Sequence, residues 1–505
     1  MKATKLFLAA IAFVGVFAAC NPENKPEGGE ETPEVEKSKE CRLTAFTVTA
    51  GDFEIEGFID QTDKTIELSY MPNQFAALTS ATAEVKISDK ATISPDPAVA
   101  RDYTVEGGVE FTVTAEDGTT TSVYTVYAAA AEVMEKCEKV WEKTFGSLGL
   151  TAKANNDCGV AFVAVDKVAF ADGTVFDLEG NKVGVLNTTG ITGLFTYGDG
   201  HVISNGQLAN MSNDDNGVLV AITSFEGAYS DGSGSGCRTE FYAWLDGWDK
   251  APTKIYGPVD YQCRYMSVAG DVKGDFILNF RTGANSPQMH HVLVYKGGKY
   301  FNEDGSAACS WYGPMIPHPG NDGCWGQQLS FFSGDPEEGF VCWDSLERGE
   351  DSGNVDNRSH GYFYYSSLSG AINGTIEEFP LYGQVNWTNW DAQGGKYSYG
   401  NHSYGHVRAF KYNGEKYIIA SSSSWTCAWI TIQKAENVVE DDPDTDEVDE
   451  SEANYLLPST KEEGGGDHNP PSSAYVLDPI SGIGHVIYVT NGVNVCLYDL
   501  ITTLM

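Results

Sequence analysis

From Cys41 to about Ala130 the chain alternates apolar and polar positions with period two, the signature of half-buried strands. Leu43 to Val48, Phe53 to Ile59 and Thr65 to Tyr70 form successive predicted strands. Asp60-Gln61-Thr62-Asp63-Lys64 is the polar turn between the second and third. Ala83 to Ile87 and Ala91 to Ser94 continue the series. A last hairpin runs from Val109 to Ala115, turns at Glu116-Asp117-Gly118 and returns from Ser122 to Tyr127. About seven short strands in about ninety residues predict a β-sandwich.

The pattern then changes from simple alternation to a recurring unit, a Gly- or Asp-bearing turn followed by an apolar strand. It occurs at Val165 to Phe170, Tyr197 to Ile203, Gly270 to Leu278, Gly334 to Val341, Tyr412 to Ile419 and Gly482 to Tyr488. Tyr256-Gly257-Pro258, Tyr312-Gly313-Pro314 and Tyr382-Gly383-Gln384 form a second marker through the middle of this region. Recurrence at roughly 30 to 80 residues suits four-stranded sheets around an axis, a β-propeller of six blades. The final strand, Val493 to Leu500, is expected as an inner strand lacking an outer partner, and Val140 to Phe145 is placed to supply it and close the ring. A sandwich or β-helix with coincidental turns is the alternative. No long helical periodicity follows the first twenty residues; Ala128 to Glu142 is read as a short helix or a linker.

The fold class is therefore all-β, an N-terminal sandwich over 41–130 followed by a propeller over 137–505. Residues 21–40 are mostly Pro, Glu, Gly and Lys, too polar to bury surface, and are expected to form a tether. The segment 436–466 carries a run of acidic residues and Gly464-Gly465-Gly466, and is expected to be a solvated loop.

Residues 1–20 set the compartment. Lys2 and Lys5 precede an apolar run from Leu6 to Phe17, shorter than the ~20 residues of a membrane-spanning helix. The run ends in Phe17-Ala18-Ala19-Cys20, which resembles a bacterial lipoprotein signal, with Phe17 where that family usually has Leu. The resemblance implies that Cys20 becomes the acylated N-terminus of the mature protein, held on a membrane by its acyl chains. Acidic residues soon after Cys20 resemble the surface-export signal of Bacteroidetes lipoproteins, which implies an outer-membrane protein facing the cell exterior. The segments "GFIDQTDKTIELSYMP" and "EFTVTAEDGTTTSVYTV" resemble the Ig-like N-terminal domain of Bacteroidetes surface lipoproteins. In build the chain resembles SusE/SusF-like and surface glycan-binding proteins, which implies a SusC/SusD-like uptake complex as partner.

The formal net charge of -39 repels phosphate backbones, so nucleic acid is not an expected partner, and anionic glycans are disfavoured. Neutral glycans and cations remain open. Eleven cysteines leave ten after Cys20, an even number that permits disulfides without fixing their pairing. Cys342 and Cys496 sit in apolar strands, where a buried thiol is the competing reading.

Tryptophan concentrates in the later part of the chain. Trp343 and Trp429 lie in apolar runs and are assigned to the core, whereas Trp325, Trp387 and Trp390 lie in Gly- and Asn-rich segments. Flat rings stack on the apolar faces of sugars while Asn389 and Asp391 offer hydrogen bonds to hydroxyls, the chemistry of a neutral-glycan site. Histidines 290, 291, 318, 360, His402 and His406 are read as loop residues of the same region, with His402 and His406 as further ligand contacts. Their four-residue spacing would suit a metal only on a helix, which Gly400 and Gly405 oppose. Asn213-Asp214-Asp215-Asn216-Gly217 offers oxygens to calcium but lacks the EF-hand spacing, and a polar turn is the plainer expectation. No cofactor is expected.

Surface binding of a glycan or glycoprotein for nutrient capture is the leading function. A propeller glycoside hydrolase or polysaccharide lyase is the second, for which Asp344, Glu347, Asp391, His402 and Arg408 can be assembled into a set only by free choice, since no motif selects them. A structural or adhesive protein-binding lipoprotein is the third.

Overall fold

The computed structural model describes residues 36–150 and, beyond them, 159–191, 195–196, 202–203, 210–223, 239–259, 263–282, 289–300, 309–312, 328–346, 360–369, 383–385, 404–423, 427–435, 455–463, 471–490 and 492–505. Strand is the main regular structure among the described residues. No helix among them is long and apolar enough to cross a membrane.

The first eight strands are β1 (Leu43–Ala50), β2 (Phe53–Glu56), β3 (Phe58–Asp60), β4 (Thr65–Tyr70), β5 (Thr82–Ile87), β6 (Thr92–Ser94), β7 (Val109–Thr114) and β8 (Thr121–Ala130). They form two sheets, β2-β1-β5 and β3-β4-β8-β7-β6, in which β4 and β8 run parallel. The inward positions of both sheets meet in one core: Phe46 and Val48 from β1, Ile66 and Leu68 from β4, Phe111 and Val113 from β7. Phe46 packs edge-on against both Tyr103 and Phe111. The predicted strand from Phe53 to Ile59 is two strands, broken at Gly57, where the chain passes between sheets. A Cβ at Gly57 would collide with the Ile66 side chain and crowd the Phe46 carbonyl.

The segment read as a helix or linker is neither. Residues to Ala130 complete β8, and β9 spans Val133–Thr144. Its alternation of Met134, Lys136, Glu138 with Glu135, Cys137, Lys139 is polar enough to mask a strand signal that only its pairing makes plain.

Beyond the sandwich the described residues form six antiparallel sheets of four or five strands and one two-stranded hairpin. The first is β10 (Val160–Ala164), β11 (Lys167–Phe170), β12 (Thr174–Asp177) and β13 (Lys182–Val185). A small hairpin of β14 (Phe195–Thr196) and β15 (Val202–Ile203) follows. The second sheet is β16 (Asn210–Asn213), β17 (Leu219–Thr223), β18 (Thr239–Ala243) and β19 (Thr253–Val259). The third is β20 (Cys263–Gly270), β21 (Phe276–Thr282), β22 (Met289–Lys296) and β23 (Lys299–Tyr300), with β24 (Cys309–Tyr312) also on β22. The fourth is β25 (Gln328–Phe331), β26 (Phe340–Leu346), β27 (His360–Ser366) and β28 (Gly383–Val385). The fifth is β29 (Tyr404–Tyr412), β30 (Glu415–Ser423), β31 (Cys427–Lys434) and β32 (Tyr455–Glu463). The sixth is β33 (Pro471–Leu477), β34 (Gly484–Thr490), β35 (Asn494–Leu504) and β9.

The first strand of each sheet lies against the first strand of the next, in the order β10, β16, β20, β25, β29, β33 and back to β10. The sheets stay separate, and their first strands surround one axis in a propeller-like arrangement. Near-continuous burial of these strands follows from that position: Val160 to Val163, Val407 to Phe410 and Ala474 to Val476 are all buried.

Several sequence expectations change in detail. Five of the six predicted turn-strand units join first and second strands of a sheet; of Tyr197 to Ile203 only Val202 and Ile203 lie among the described residues, as β15 paired with β14. The corresponding turn of the second sheet is Asn213 to Gly217, between β16 and β17. The C-terminal strand β35 is third from the axis rather than innermost, and its partner β9 is longer than foreseen, with Leu497 opposite Trp141 and Leu504 opposite Val133. Within the acidic segment, Tyr455 to Glu463 is strand β32, because Tyr455-Leu456-Leu457 restores an apolar run that pairs with β31.

The sandwich touches the sixth sheet. The Asn73 Nδ2 donates to the Ile480 carbonyl at 3.2 Å, and the Ala131 N–H donates to the Tyr70 carbonyl at 2.9 Å just before β9 begins.

Candidate functional site

Trp325, Trp387, Asn389, Trp390, Asp391 and His402 lie outside the described residues, as does Cys20. Trp343 and Trp429 fall on β26 and β31. His406 is described, and it is a strand residue of β29 rather than a loop residue; His290, His291 and His360 are likewise on strands. What the described residues define is the axis itself.

Side chains tie the first strands to one another around that axis. The Val268 N–H on β20 donates to the Ser212 Oγ on β16 at 3.3 Å. The Ser267 Oγ on β20 donates to the Leu329 carbonyl on β25 at 2.8 Å. The Ala409 N–H on β29 donates to the Ser330 Oγ on β25 at 3.0 Å. His406 Nδ1 on β29 pairs with the Ser473 Oγ on β33 at 3.0 Å. Asn213 on β16 links two further strands: its Oδ1 accepts the Phe162 N–H of β10 at 3.1 Å, and its Nδ2 donates to the Tyr475 carbonyl of β33 at 2.7 Å. Backbone groups at a sheet's inner edge have no ladder partner, so these side chains satisfy donors and acceptors that would otherwise be buried unpaired.

Arg408 crosses the ring. It precedes Ala409 as Ser267 precedes Val268, so it stands where serine stands in the preceding first strands. Its Nη1 donates to the Ser212 Oγ and its Nη2 to the Asn213 carbonyl. The residue is 6% exposed, and its Nε has no partner among the described residues. Burial lowers its pKa, while Asp215 and Asp214 favour its charged form.

The Asn213-to-Gly217 turn lies at one end of this axis. The Asp214 carboxylate accepts three backbone N–H groups: Oδ1 from Asn216 at 2.9 Å and Val218 at 2.7 Å, Oδ2 from Val272 at 2.9 Å. Asp215 Oδ2 accepts the Gly270 N–H at 3.1 Å. These contacts knit the second sheet to the third and leave little carboxylate capacity for a cation. No metal-binding cluster occurs among the described residues. Burial raises Asp214 despite those hydrogen bonds. Asp215 keeps an exposed side, but protein crowds its carboxylate and pushes its pKa up to about 7 against the pull of Arg408.

The His406–Ser473 pair has the reach of a base and nucleophile, but its electrostatics differ. Burial, and then the neighbouring Arg408 charge, push the His406 pKa down to about 3. An imidazole that weak is a poor proton acceptor near neutral pH. Ser473 is 5% exposed. The pair is a strand-to-strand tie. Arg408, assembled above into a possible catalytic set, is likewise committed to holding β16.

Sequence reading missed this ring. Its signal was present as Met211-Ser212, Met266-Ser267, Leu329-Ser330 and Val407-Arg408, a small polar or charged residue recurring inside apolar strands.

The sheets and their axial ties thus define an all-β chain with a sandwich followed by a propeller-like body. The sandwich adds a finding in sequence: residues 43–128 match the family model described as "SGBP, N-terminal", a surface glycan-binding protein domain. No curated protein sequence matches the chain significantly. Among solved structures it is similar to a DUF4623 family protein from Bacteroides eggerthii, at 10% identity and a TM-score of 0.41, over 92% of this chain and 99% of that one. It is also similar to a protein of unknown function from Dyadobacter fermentans, at 11% identity and a TM-score of 0.35, over 72% and 100% of the two chains. A third is the fucose-specific lectin of Aleuria aurantia, at 10% identity and a TM-score of 0.33, over 68% and 93%. These likenesses are loose, and the fold rests on the strand pairing described above.

Proposed function

We propose that this is a lipid-anchored protein of the outer membrane that captures a neutral glycan, free or on a glycoprotein, at the cell exterior. The carrying observation is the match of residues 43–128 to the surface glycan-binding N-terminal domain. In this reading Cys20 bears the lipid, 21–40 is the tether, an Ig-like sandwich is the spacer and a six-bladed propeller presents the ligand site. The strong negative charge supports a neutral ligand over an anionic one.

The ligand contacts are assigned to Trp325, Trp387, Asn389, Trp390, Asp391 and His402. His406 is a weaker member of that set, because its Nδ1 is already bonded to Ser473. Delivery to a SusC/SusD-like uptake complex is the corresponding partner. A glycan array probed with the exported protein tests the reading, with a Trp387→Ala, Trp390→Ala double variant alongside. Binding by the parent that the double variant loses supports it. A well-folded parent that binds no neutral glycan overturns it.

A further inference from the structure

The open face of the five-stranded sheet carries a row of side chains that packing does not explain. Cross-strand register aligns Phe58 on β3 with Glu67 on β4, and Glu67 with Tyr127 on β8. All three point away from the core, since their strand neighbours Ile59, Ile66, Leu68 and Val126 pack into or against it. Phe58 is 75% exposed, against 0% for Phe46 and Phe111 in the same domain. Tyr127 is also exposed, and its hydroxyl donates to the Glu67 Oε2 at 3.1 Å. Glu67 Oε1 accepts nothing among the described residues. The adjoining row is hydroxyl-rich and acidic: Asp60, Thr65, Thr125 and Glu110.

Two rings thus flank a carboxylate, separated by two strand spacings, about 10 Å. Rings so placed stack on the apolar faces of sugars, and an extended polysaccharide presents alternate residues at a comparable interval. The carboxylate between them selects the occupant. A protein surface closing over Phe58 and Tyr127 would bury an ionised Glu67 without a counter-charge, which is costly. A sugar hydroxyl would instead donate to Oε1. Anionic polymers are opposed by Glu67, Asp60 and Glu110 together.

We propose that this face of the sandwich is a second contact surface for a neutral polysaccharide, with Phe58 and Tyr127 as stacking platforms and Glu67 as the hydroxyl acceptor. The inference rests on the glycan-binding reading but uses a different domain from the tryptophans assigned above. Two weak contacts on one chain act through effective concentration, so each strengthens the other.

The test is affinity electrophoresis of the exported protein in gels containing xyloglucan, galactomannan, laminarin or dextran, run for the parent, a Phe58→Ala, Tyr127→Ala variant and the Trp387→Ala, Trp390→Ala variant. Both sandwich substitutions are at exposed positions, and an unchanged melting temperature verifies the fold. The expected result is retardation of the parent by at least one polymer and at least tenfold weaker retardation of the sandwich variant. Retardation unchanged in the sandwich variant but lost in the tryptophan variant overturns this inference and leaves the functional reading intact. A parent retarded by none of the four overturns both.

Discussion

The Arg408 guanidinium on β29 is hydrogen-bonded to the Ser212 hydroxyl on β16, 196 residues earlier in the chain and across the axis that six first strands surround. Neighbouring first strands are joined by serine, asparagine and histidine side chains, and Asn213 also reaches β33, two strands away; among the described ring residues it is Arg408 that reaches the strand directly across the axis. Replacing it with methionine keeps much of the volume but removes the guanidinium from the Ser212 hydroxyl and the Asn213 carbonyl, and with it the charge that offsets Asp215. The expected cost is about 3 kcal/mol of unfolding free energy, the range for breaking a buried charged contact from one side. Urea unfolding of Arg408→Met against the parent checks it, and Arg408→Lys is expected to recover only part of the loss because it lacks the planar fork.

The same site predicts two opposing pH dependences. His406 has its pKa lowered from 6.5 to about 3, so its contribution is complete above pH 6.5 and is lost as pH falls toward 3. Asp215 has its pKa raised from 3.8 to about 7, so its contribution is complete below pH 3.8 and is lost as pH rises through 7. Between about pH 4 and 6.5 the two act against each other. Thermal melts from pH 4 to 8 are expected to show a shallower acid limb for His406→Gln. They are expected to show a gain over the parent above pH 7 for Asp215→Asn. Parallel curves for all three proteins would contradict both assignments.

Glu135 adds polar ties to the apolar contact between the sixth sheet and the fifth. Its Oε1 accepts Asn413 Nδ2 at 2.7 Å and its Oε2 accepts the Tyr417 hydroxyl. Asn413 also donates to the Thr502 Oγ1 at 2.8 Å and occupies a left-handed conformation, φ 52°, in the Asn-Gly turn. Glu135→Ala is expected to lower stability by about 2 kcal/mol, the value of a charge-assisted hydrogen bond with its stranded partners. The Tyr417 pKa, held well above its usual range by burial and by Glu135, is expected to fall in the same variant. Spectrophotometric tyrosine titration reads this second effect separately from unfolding.

Gly184 on β13 has the Trp248 ring directly against it, so an added Cβ would overlap ring carbons. Gly184→Ala is expected to cost about 1–3 kcal/mol through overpacking. Trp248→Leu in the same background is expected to relieve part of that cost. A non-additive double-mutant cycle in thermal unfolding would establish the contact.

The sandwich strands were legible because each buries one face, and alternation at Leu43 to Val48 or Val109 to Ala115 records that directly. In strand β9 only the second half was legible, as the partner of the C-terminal strand; the first half was not, because Lys136, Glu138 and Lys139 dominate its composition and its identity as a strand comes from a partner more than 350 residues away. The turn at Asn213 to Gly217 was recognised as polar, but its place as the second sheet's first hairpin was hidden by the stronger-looking Tyr197 to Ile203. The axial ring was hidden for a different reason. Serine inside a strand is unremarkable singly, and only the cyclic neighbour order gives Ser212, Ser267 and Ser330 a common role. Of the residues chosen for a ligand, only His406 lies among those described, and its environment reveals a structural tie that spacing to His402 gave no hint of.

Strand β9 belongs to the early part of the chain and β33 to β35 to its late part, yet they share one sheet. For a polypeptide threaded through a membrane from its N-terminal side, this imposes a schedule. The sandwich has all its strands as soon as residue 130 has emerged, whereas β9 has no partner until residue 494 follows. Throughout that interval β9 is an unpaired edge, open to mispairing with any other strand. Its dense run of lysines and glutamates then has a second use beyond solubility in the finished protein: it keeps a waiting edge from joining the wrong neighbour.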